Sequence, residues 1–541
     1  MIPSSDPWRR LSELSSQFQS NLNALETRQP RLAESLRRTS LDVEYQIQSS
    51  EQRVNIARKE SGGLTLTPNP VPVAAASQIS SKLFPSGKCG EPVLVAGLDQ
   101  GWLWKALYEL PTDTPAAPGH RPPLYLLTPD IERLWIALHL HDWANLLADP
   151  RVRLFAGADS LSQAQHDMSD APQVPWPKLC VTVDPATWPP GCNFDALTRG
   201  ALESVVARMK TLQRELDQID RTTNPASLSQ RFGRGKLRVL GITSRYTTFL
   251  QFSMRDWLSA FEELGHETRL LIESGDHELL NPIAFAQACA DFHPDLIVMI
   301  DHYRAEHAGL PANVPWIMWI QDRLPGIYSS RAGTAQKAMD YAIGYGRLEC
   351  VHQYGYPAER FLPVTVGTNE KRFSPQSLGQ PELSAARCDV SFVSHATVPA
   401  DVLVQNEIAR QSKEQNQLLL KAVFDSLRSV YDQGGSVTES HFILKLIREV
   451  LAREELVIDN EAPLAEFFVN RVNNALFRHQ ALTWLTEIEG LTVHLYGRGW
   501  ERHPRFSHLA RGVADNERQL CAIYQGSTIN LQVTPFGAAH Q

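Results

Sequence analysis

From Lys236 to Glu267 the chain reads KLRVLGITSRYTTFLQFSMRDWLSAFEELGHE. Residues 237–242 form a short, mostly apolar run of strand rather than helix length. The polar loop Thr243-Ser244-Arg245-Tyr246-Thr247-Thr248 follows. Met254, Trp257, Leu258, Phe261 and Leu264 then recur at three- and four-residue spacing, which puts them on one face of a helix. Gly265 supplies the left-handed residue that ends such helices, and residues 266–272 return as a strand. Strand, helix and strand in this order predict a parallel α/β sheet.

The alternation continues downstream. A helix over 282–291 opens on Pro282, suited to a first helical turn. Residues 296–300 make a strongly apolar strand with Asp301 and His302 at its carboxyl end. Another strand over 316–320 runs into Gln321-Asp322-Arg323, and 342–344 and 361–366 supply the last pieces. Ligands of open parallel sheets sit outside the carboxyl ends of the strands. Polar pairs collect at those ends: Thr243 with Arg245, Asp301 with His302, Gln321 with Asp322, Thr368 with Asn369. Together they predict a lined cleft. Trp316 and Trp319 read as core.

A second unit is expected from 386, with a strand over 389–393 ending in Ser394-His395. Its residues 402–488 carry apolar positions at helical spacing (Leu418, Leu419, Val423, Leu427, then Leu444, Ile447, Val450, Leu451), more than one crossover helix needs. They read as an inserted helical bundle. The strand 493–496 then leads to Gly497-Arg498-Gly499, where two glycines allow close backbone approach and an arginine meets a phosphate. The strand 528–533 follows.

These ordered motifs, LGITSRYTTFLQFSMRDWLSAFEELGHE, HPDLIVMID, VPWIMWIQD, YGYPAERFLPVTVGTNEKRFSP, CDVSFVSH, LTVHLYGRGW and ERQLCAIYQGSTINLQV, resemble the spore-maturation-type (CgeB-like) glycosyltransferases, over residues 236 to 541. The resemblance implies an α/β fold of two Rossmann-like domains of GT-B type: an acceptor-side domain over 236–385 and a donor-side domain over 386–541. It implies a hexosyltransferase-type enzyme moving sugar from a nucleotide-sugar donor to a protein or surface-glycan acceptor, with no cofactor and no metal. Asp301, His302 and Asp322 are the candidate catalytic residues. Ser394, His395, Gly497, Arg498, Gly499, Asn530 and His540 are candidates for the donor, and Thr243, Arg245, Gln321, Thr368 and Asn369 for the acceptor-side cleft. Each has a plainer reading: a hydrogen-bonded structural histidine, a local cap at Asp322, a plain turn at 497–499. Related proteins continue past Gly537-Ala538-Ala539-His540-Gln541, so the donor domain is expected to be incomplete.

Working toward the amino end, 221–235 reads as a linker and 194–219 as a helix. Residues 91–220 form a further α/β module, with strands at 93–96, 124–127 and 152–155, and 160–188 irregular. Its turn Gly97-Leu98-Asp99-Gln100-Gly101 resembles, in degenerate form, the N-terminal module of motility-associated flagellin glycosyltransferases, itself similar to nucleoside-binding methyltransferases. There Asp130 would hold a ribose. Residues 61–90 look like a linker. The first 60 residues read as helix, with Leu11, Leu14, Phe18, Leu22, Leu25, Leu32 and Leu36 in a stripe. The stripe is either a coiled-coil seam for self-association through 11–36 or a face docked on the next domain.

The totals suit this picture. The chain has 541 residues, 43% hydrophobic and 21% charged, which calls for several folded units. A net charge of −8 argues against a nucleic-acid partner. No run reaches the ~20 apolar residues of a membrane span. Seven cysteines (89, 180, 192, 289, 350, 388, 521), without metal-ligand spacing, fit a reduced compartment, so a cytoplasmic location is expected. Two other classes stay open: a methyltransferase-like enzyme working through 91–160, and a non-catalytic scaffold. S-adenosylmethionine binding separates the first, and transfer from a nucleotide sugar removes the second.

Overall fold

Antiparallel pairing begins the chain. In the computed structural model, strands β1 (Arg9–Arg10), β2 (Tyr45–Ser50), β3 (Arg53–Glu60) and β4 (Gly63–Leu66) form one sheet in that order. The structure describes residues 8–535 except 40–43, 51–52, 61–62, 67–72, 99, 115–116, 184–187, 189–193, 248, 325, 366, 375–377, 459–460 and 517. Helix had been expected through residue 60. Instead Tyr45 and Ile47 on β2, and Ile56 on β3, turn alternate positions inward, the period of a half-buried strand. The expected linker over 61–90 carries β4 and a helix, Val73–Leu83, whose Ala76 is buried.

The chain divides into two units, Met1–Val364 and Thr365–Gln541. In the first unit the helices Ser15–Glu26 and Pro30–Arg38 lie against the first α/β module. Leu22, Leu25, Ala33 and Leu36 share a core with Val93, Val95, Leu126 and Leu138. Fully buried Asn21 fixes the docking: its amide nitrogen donates to the carbonyls of Leu138 (2.8 Å) and His141 (2.7 Å). Its oxygen accepts from the backbone N–H of Trp143 at 2.9 Å. The leucine stripe is therefore docked on the chain's own next module. Its residues Phe18, Leu22, Leu25, Leu32 and Leu36 are used in this core, and Leu11 and Leu14 pack with Tyr45, Ile47 and Ile56, rather than forming a free seam for self-association.

That module is a parallel sheet of β5 (Val93–Ala96), β6 (Leu124–Thr128), β7 (Val152–Ala156) and β8 (Leu179–Thr182), in the order β7-β6-β5-β8. Strand β8 and the helix Ser160–Asp170 occupy the stretch expected to be irregular. A 29-residue helix, Phe194–Thr222, follows. Its Leu197 and Ala201 join the first module's core, while Leu212, Leu216 and Ile219 join that of the next sheet. The expected linker over 221–235 is mostly helix, Pro225–Arg234, opened by an Asn224–Ser227 capping box.

The next sheet is six parallel strands: β9 (Arg238–Ile242), β10 (Glu267–Leu271), β11 (Leu296–Ile300), β12 (Trp316–Ile320), β13 (Asp340–Gly344) and β14 (Phe361–Pro363). Their spatial order is β10-β9-β11-β12-β13-β14. Helix Leu250–Glu263 covers one face through Met254 and Leu258, and Pro282–Phe292 the other. Trp316 is fully buried and Trp319 packs edge-on against Trp257, so both are core. Progression reverses between β9 and β11. That reversal is the switch point at which such sheets open a crevice.

In the second unit, β15 (Cys388–Val393), β16 (Val493–Tyr496) and β17 (Ser527–Leu531) pair in parallel as β16-β15-β17. Between β15 and β16 the expected helical bundle is present with its own core, around Val423, Leu427, Ile447, Phe468 and Val472. The architecture is α/β with Rossmann-like parallel sheets in both units. Among the described residues no helix is long and apolar enough to cross a membrane, and the six described cysteines are free.

Candidate functional site

In the first unit the crevice at the β9/β11 switch is a real cavity of about 530 Å³. Thr243, Ser244 and Tyr246 line it from the end of β9, Glu273 from the end of β10, and His302, Glu306 and His307 from the end of β11. Glu273 is buried and organises the mouth. Its carboxylate accepts from the Ser244 hydroxyl (3.0 Å) and the Arg245 N–H (2.8 Å), and the Arg245 guanidinium donates to its carbonyl at 3.3 Å. Arg245 is thereby spent on the loop.

Asp301 sits in the left-handed region at φ 56°, a conformation costing a non-glycine residue about 1 kcal/mol or more. It is almost fully buried, and its carboxylate accepts from the backbone N–H groups of Gln321 (2.8 Å) and Asp322 (3.1 Å). Burial pushes its carboxyl up to about 7, against the pull of those two donors. The side chain therefore ties the ends of β11 and β12 together and turns away from the crevice. Asp322 is exposed beside it. Gln321 is buried with both amide atoms unpartnered, which costs the fold free energy.

Of the expected catalytic trio, only His302 lines the cavity. Its Nδ1 lies 2.9 Å from a Glu306 carboxylate oxygen, and its ring stacks edge-on at 5.3 Å from that of His307. Burial, with His302 alongside, holds the His307 imidazole near 4 and so neutral. The turn carrying the three is braced from inside by Arg304, paired with buried Asp340 at 2.6 Å. Glu306 and His307 went unnoticed in the sequence. The pattern His302-x-x-x-Glu306-His307 was the available signal, and it acts only because a short 3₁₀ turn, Arg304–Glu306, folds it together.

Thr368 and Asn369, expected in the same cleft, belong to the second unit. Thr368 is exposed, and Asn369 caps the turn Glu370–Phe373, accepting from the N–H groups of Lys371 and Arg372 at 3.1 Å each.

In the second unit, Ser394 and His395 at the end of β15 meet Gly497, Arg498 and Gly499 at the end of β16. Glycine is required at 497: φ is 141°, and a Cβ would lie 2.3 Å from the Ser394 carbonyl oxygen. The N–H groups of this turn are all engaged, Gly497 to the Gly512 carbonyl (2.8 Å), Arg498 to His395 Nδ1 (3.0 Å) and Gly499 to Glu501 (2.9 Å). The glycines thus serve strand packing rather than a backbone cradle for phosphate. The cations are side chains. Arg478, from helix Asn474–Thr486, donates to the Ser394 hydroxyl and lies over the Phe392 ring, its Nε buried without a partner. Burial lowers its pKa, with no carboxylate to offset the effect. Arg478 is 84 residues from Ser394, so no local sequence pattern joins the two. Asn530 lies inside β17, bonded to the Ser391 hydroxyl (2.8 Å) and the Tyr524 carbonyl (3.0 Å), so it knits strands rather than facing a ligand. His540 falls outside the described residues.

The first module's turn is filled by aromatic side chains. A Cβ on Gly101 (φ 86°) would meet Trp143 at 2.4 Å, Trp104 Nε1 donates to the Gly97 carbonyl at 2.9 Å, and Asp130 caps helix Ile131–Leu140 through the Arg133 N–H. The groups expected to receive a nucleoside are occupied with packing and capping.

No protein-family model matches the sequence, and no curated protein matches it. Among solved structures, the chain is similar to the MAf glycosyltransferase from Magnetospirillum magneticum AMB-1, at 12% identity and a TM-score of 0.26. The match covers 67% of this chain and 58% of that one, less than two thirds of that protein's length.

Proposed function

We propose that the protein is a glycosyltransferase of GT-B type that moves a sugar from a nucleotide-sugar donor to a protein or glycan hydroxyl. The observation that carries this reading is the cationic group at the strand ends of the second unit. There Arg478, half-buried and without a carboxylate to offset its charge, stands with Ser394 and His395 beside the Arg498 turn. A partly desolvated guanidinium with spare donors is what a departing diphosphate needs, because charge developing on it is stabilised more strongly there than in water. The sugar's anomeric C–O bond to the phosphate breaks and a C–O bond to the acceptor forms. The hydroxyl proton leaves on the departing diphosphate. The first unit, taken by itself, offers a pocket suited to an acceptor hydroxyl: the cavity at the β9/β11 switch, with His302 in its wall. Asp301 holds that wall in shape rather than taking the proton.

The test is thermal stability of the chain with UDP, GDP, dTDP, their common sugar conjugates and S-adenosylmethionine. One nucleoside diphosphate is expected to raise the melting temperature, and the shift should vanish in Arg478→Met and Arg498→Ala. Stabilisation by S-adenosylmethionine alone would move the activity to the first module, and no shift with any nucleotide would defeat the reading.

A further inference from the structure

We propose that His302, Glu306 and His307 form a binding site for a divalent transition-metal ion of the zinc class, set in the wall of the first unit's cavity. One ligand atom from each lies within 4.8 Å of the other two. Two imidazoles and one carboxylate are a ligand set that zinc uses when it keeps a position open for an exogenous oxygen. The chemistry of each member fits. His307 Nε2 is a buried nitrogen with no hydrogen-bond partner, and in the tautomer that carries its proton on Nδ1 this nitrogen offers an unused lone pair to a metal. His302 already has Glu306 against its Nδ1, so a carboxylate and an imidazole meet before any ion arrives. Tetrahedral ligands at the Zn–N distance stand about 3.4 Å apart, so the set must draw in by up to about 1.4 Å. Rotation of His302, whose side chain is 46% exposed, allows that.

The supporting shell is in place. The Tyr303 N–H donates to Glu306 at 3.2 Å, and the turn between the ligands is anchored by Arg304 through Asp340 and the carbonyls of Pro311 and Val314. The open coordination position would face a cavity whose other walls offer Thr243, Ser244 and Tyr246. The ligand it takes is an oxygen donor, such as a hydroxyl or carboxylate of a molecule in the cavity. This inference does not depend on the transferase reading, since it concerns metal binding by the chain alone.

The experiment uses the whole chain, stripped with a chelator and titrated with Co²⁺ while visible absorption is recorded. A parallel sample is equilibrated with Zn²⁺ and its metal content counted. One ion per chain is expected, with the d–d spectrum of nitrogen and oxygen ligation. Affinity should fall in His307→Gln and in His302→Gln by more than the roughly 10- to 100-fold that loss of an outer-shell partner alone costs. The second variant alters an exposed side chain, so it keeps the test valid if the first fails to fold. Absence of metal from the native chain, equal affinity in His302→Gln, or a spectrum dominated by thiolate charge transfer would each overturn the proposal.

Discussion

Replacing Arg304 by methionine should unfold the six-stranded sheet far more readily than the loss of one side chain suggests. The arginine side chain is 3% exposed and that of Asp340 2%. Nε donates to Asp340 at 2.6 Å, one terminal nitrogen to the Val314 carbonyl at 2.6 Å, and the other to the Pro311 carbonyl. Asp340 also accepts from the Lys337 N–H at 2.9 Å. Methionine fills much of the volume and none of these bonds. It leaves a carboxylate in the core without its counter-charge, an event that costs about 3–5 kcal/mol in buried pairs. The double variant Arg304→Met with Asp340→Leu removes both charges and should lie within about 2 kcal/mol of the parent. Asp340→Leu alone strands the guanidinium at a similar cost, so the coupling between the sites is expected to reach about 4 kcal/mol or more. Hydrogen exchange of peptides from 238–363, followed by mass spectrometry, reads this sheet without interference from the second unit. Amides of β11 to β13 should exchange roughly 10²- to 10³-fold faster in the single variant. A penalty under about 1 kcal/mol, or a double variant no better than the sum of its singles, would refute the argument that an uncompensated buried charge is the dominant effect.

Gly497→Ala meets both a positive φ and a carbonyl oxygen 2.3 Å away, so it should destabilise the second unit by more than about 2 kcal/mol. An unchanged exchange rate over 388–393 would contradict that. Gln321→Met should be neutral or stabilise by about 1 kcal/mol, since both amide atoms are buried unpaired; a loss larger than that in urea unfolding would mean that the amide has a partner. Acid should weaken the first unit through His141, buried with Nε2 2.5 Å from the Gln100 carbonyl and held down at about 4 by burial. Both states leave the imidazole neutral above about 6.5, but below that the unfolded chain takes the proton first. Stability is thus lost as pH falls from 6.5 towards 4, by on the order of 3 kcal/mol, and His141→Gln should flatten that slope.

The parallel strands were legible wherever a continuous apolar run lay between helices, as at 93–96, 124–127, 296–300 and 316–320. A strand buried on both faces has no other pattern to show. Strand β8 was not, because its residues alternate half-buried and exposed at a sheet edge among prolines. The β2–β3 hairpin was hidden by its polar face: Gln46, Gln48 and Lys59 carry helix propensity, and only tertiary burial of Tyr45, Ile47 and Ile56 decides for strand. The site followed the same rule. His302 was visible as a strand-end residue. Arg478 and Ser394 meet only through the fold, and Asp301 changed role because its partners are backbone amides that no side-chain pattern encodes.

The 194–222 helix is about 43 Å long and contributes side chains to two cores. It acts as a common beam, and that limits how the gene can be cut and recombined. A break at residue 220, natural on sequence grounds, would take Leu212, Leu216 and Ile219 away from the sheet they cover. Chimaeras that exchange the first module should therefore be joined ahead of Phe194 with a matching helix supplied, or carry the beam across whole.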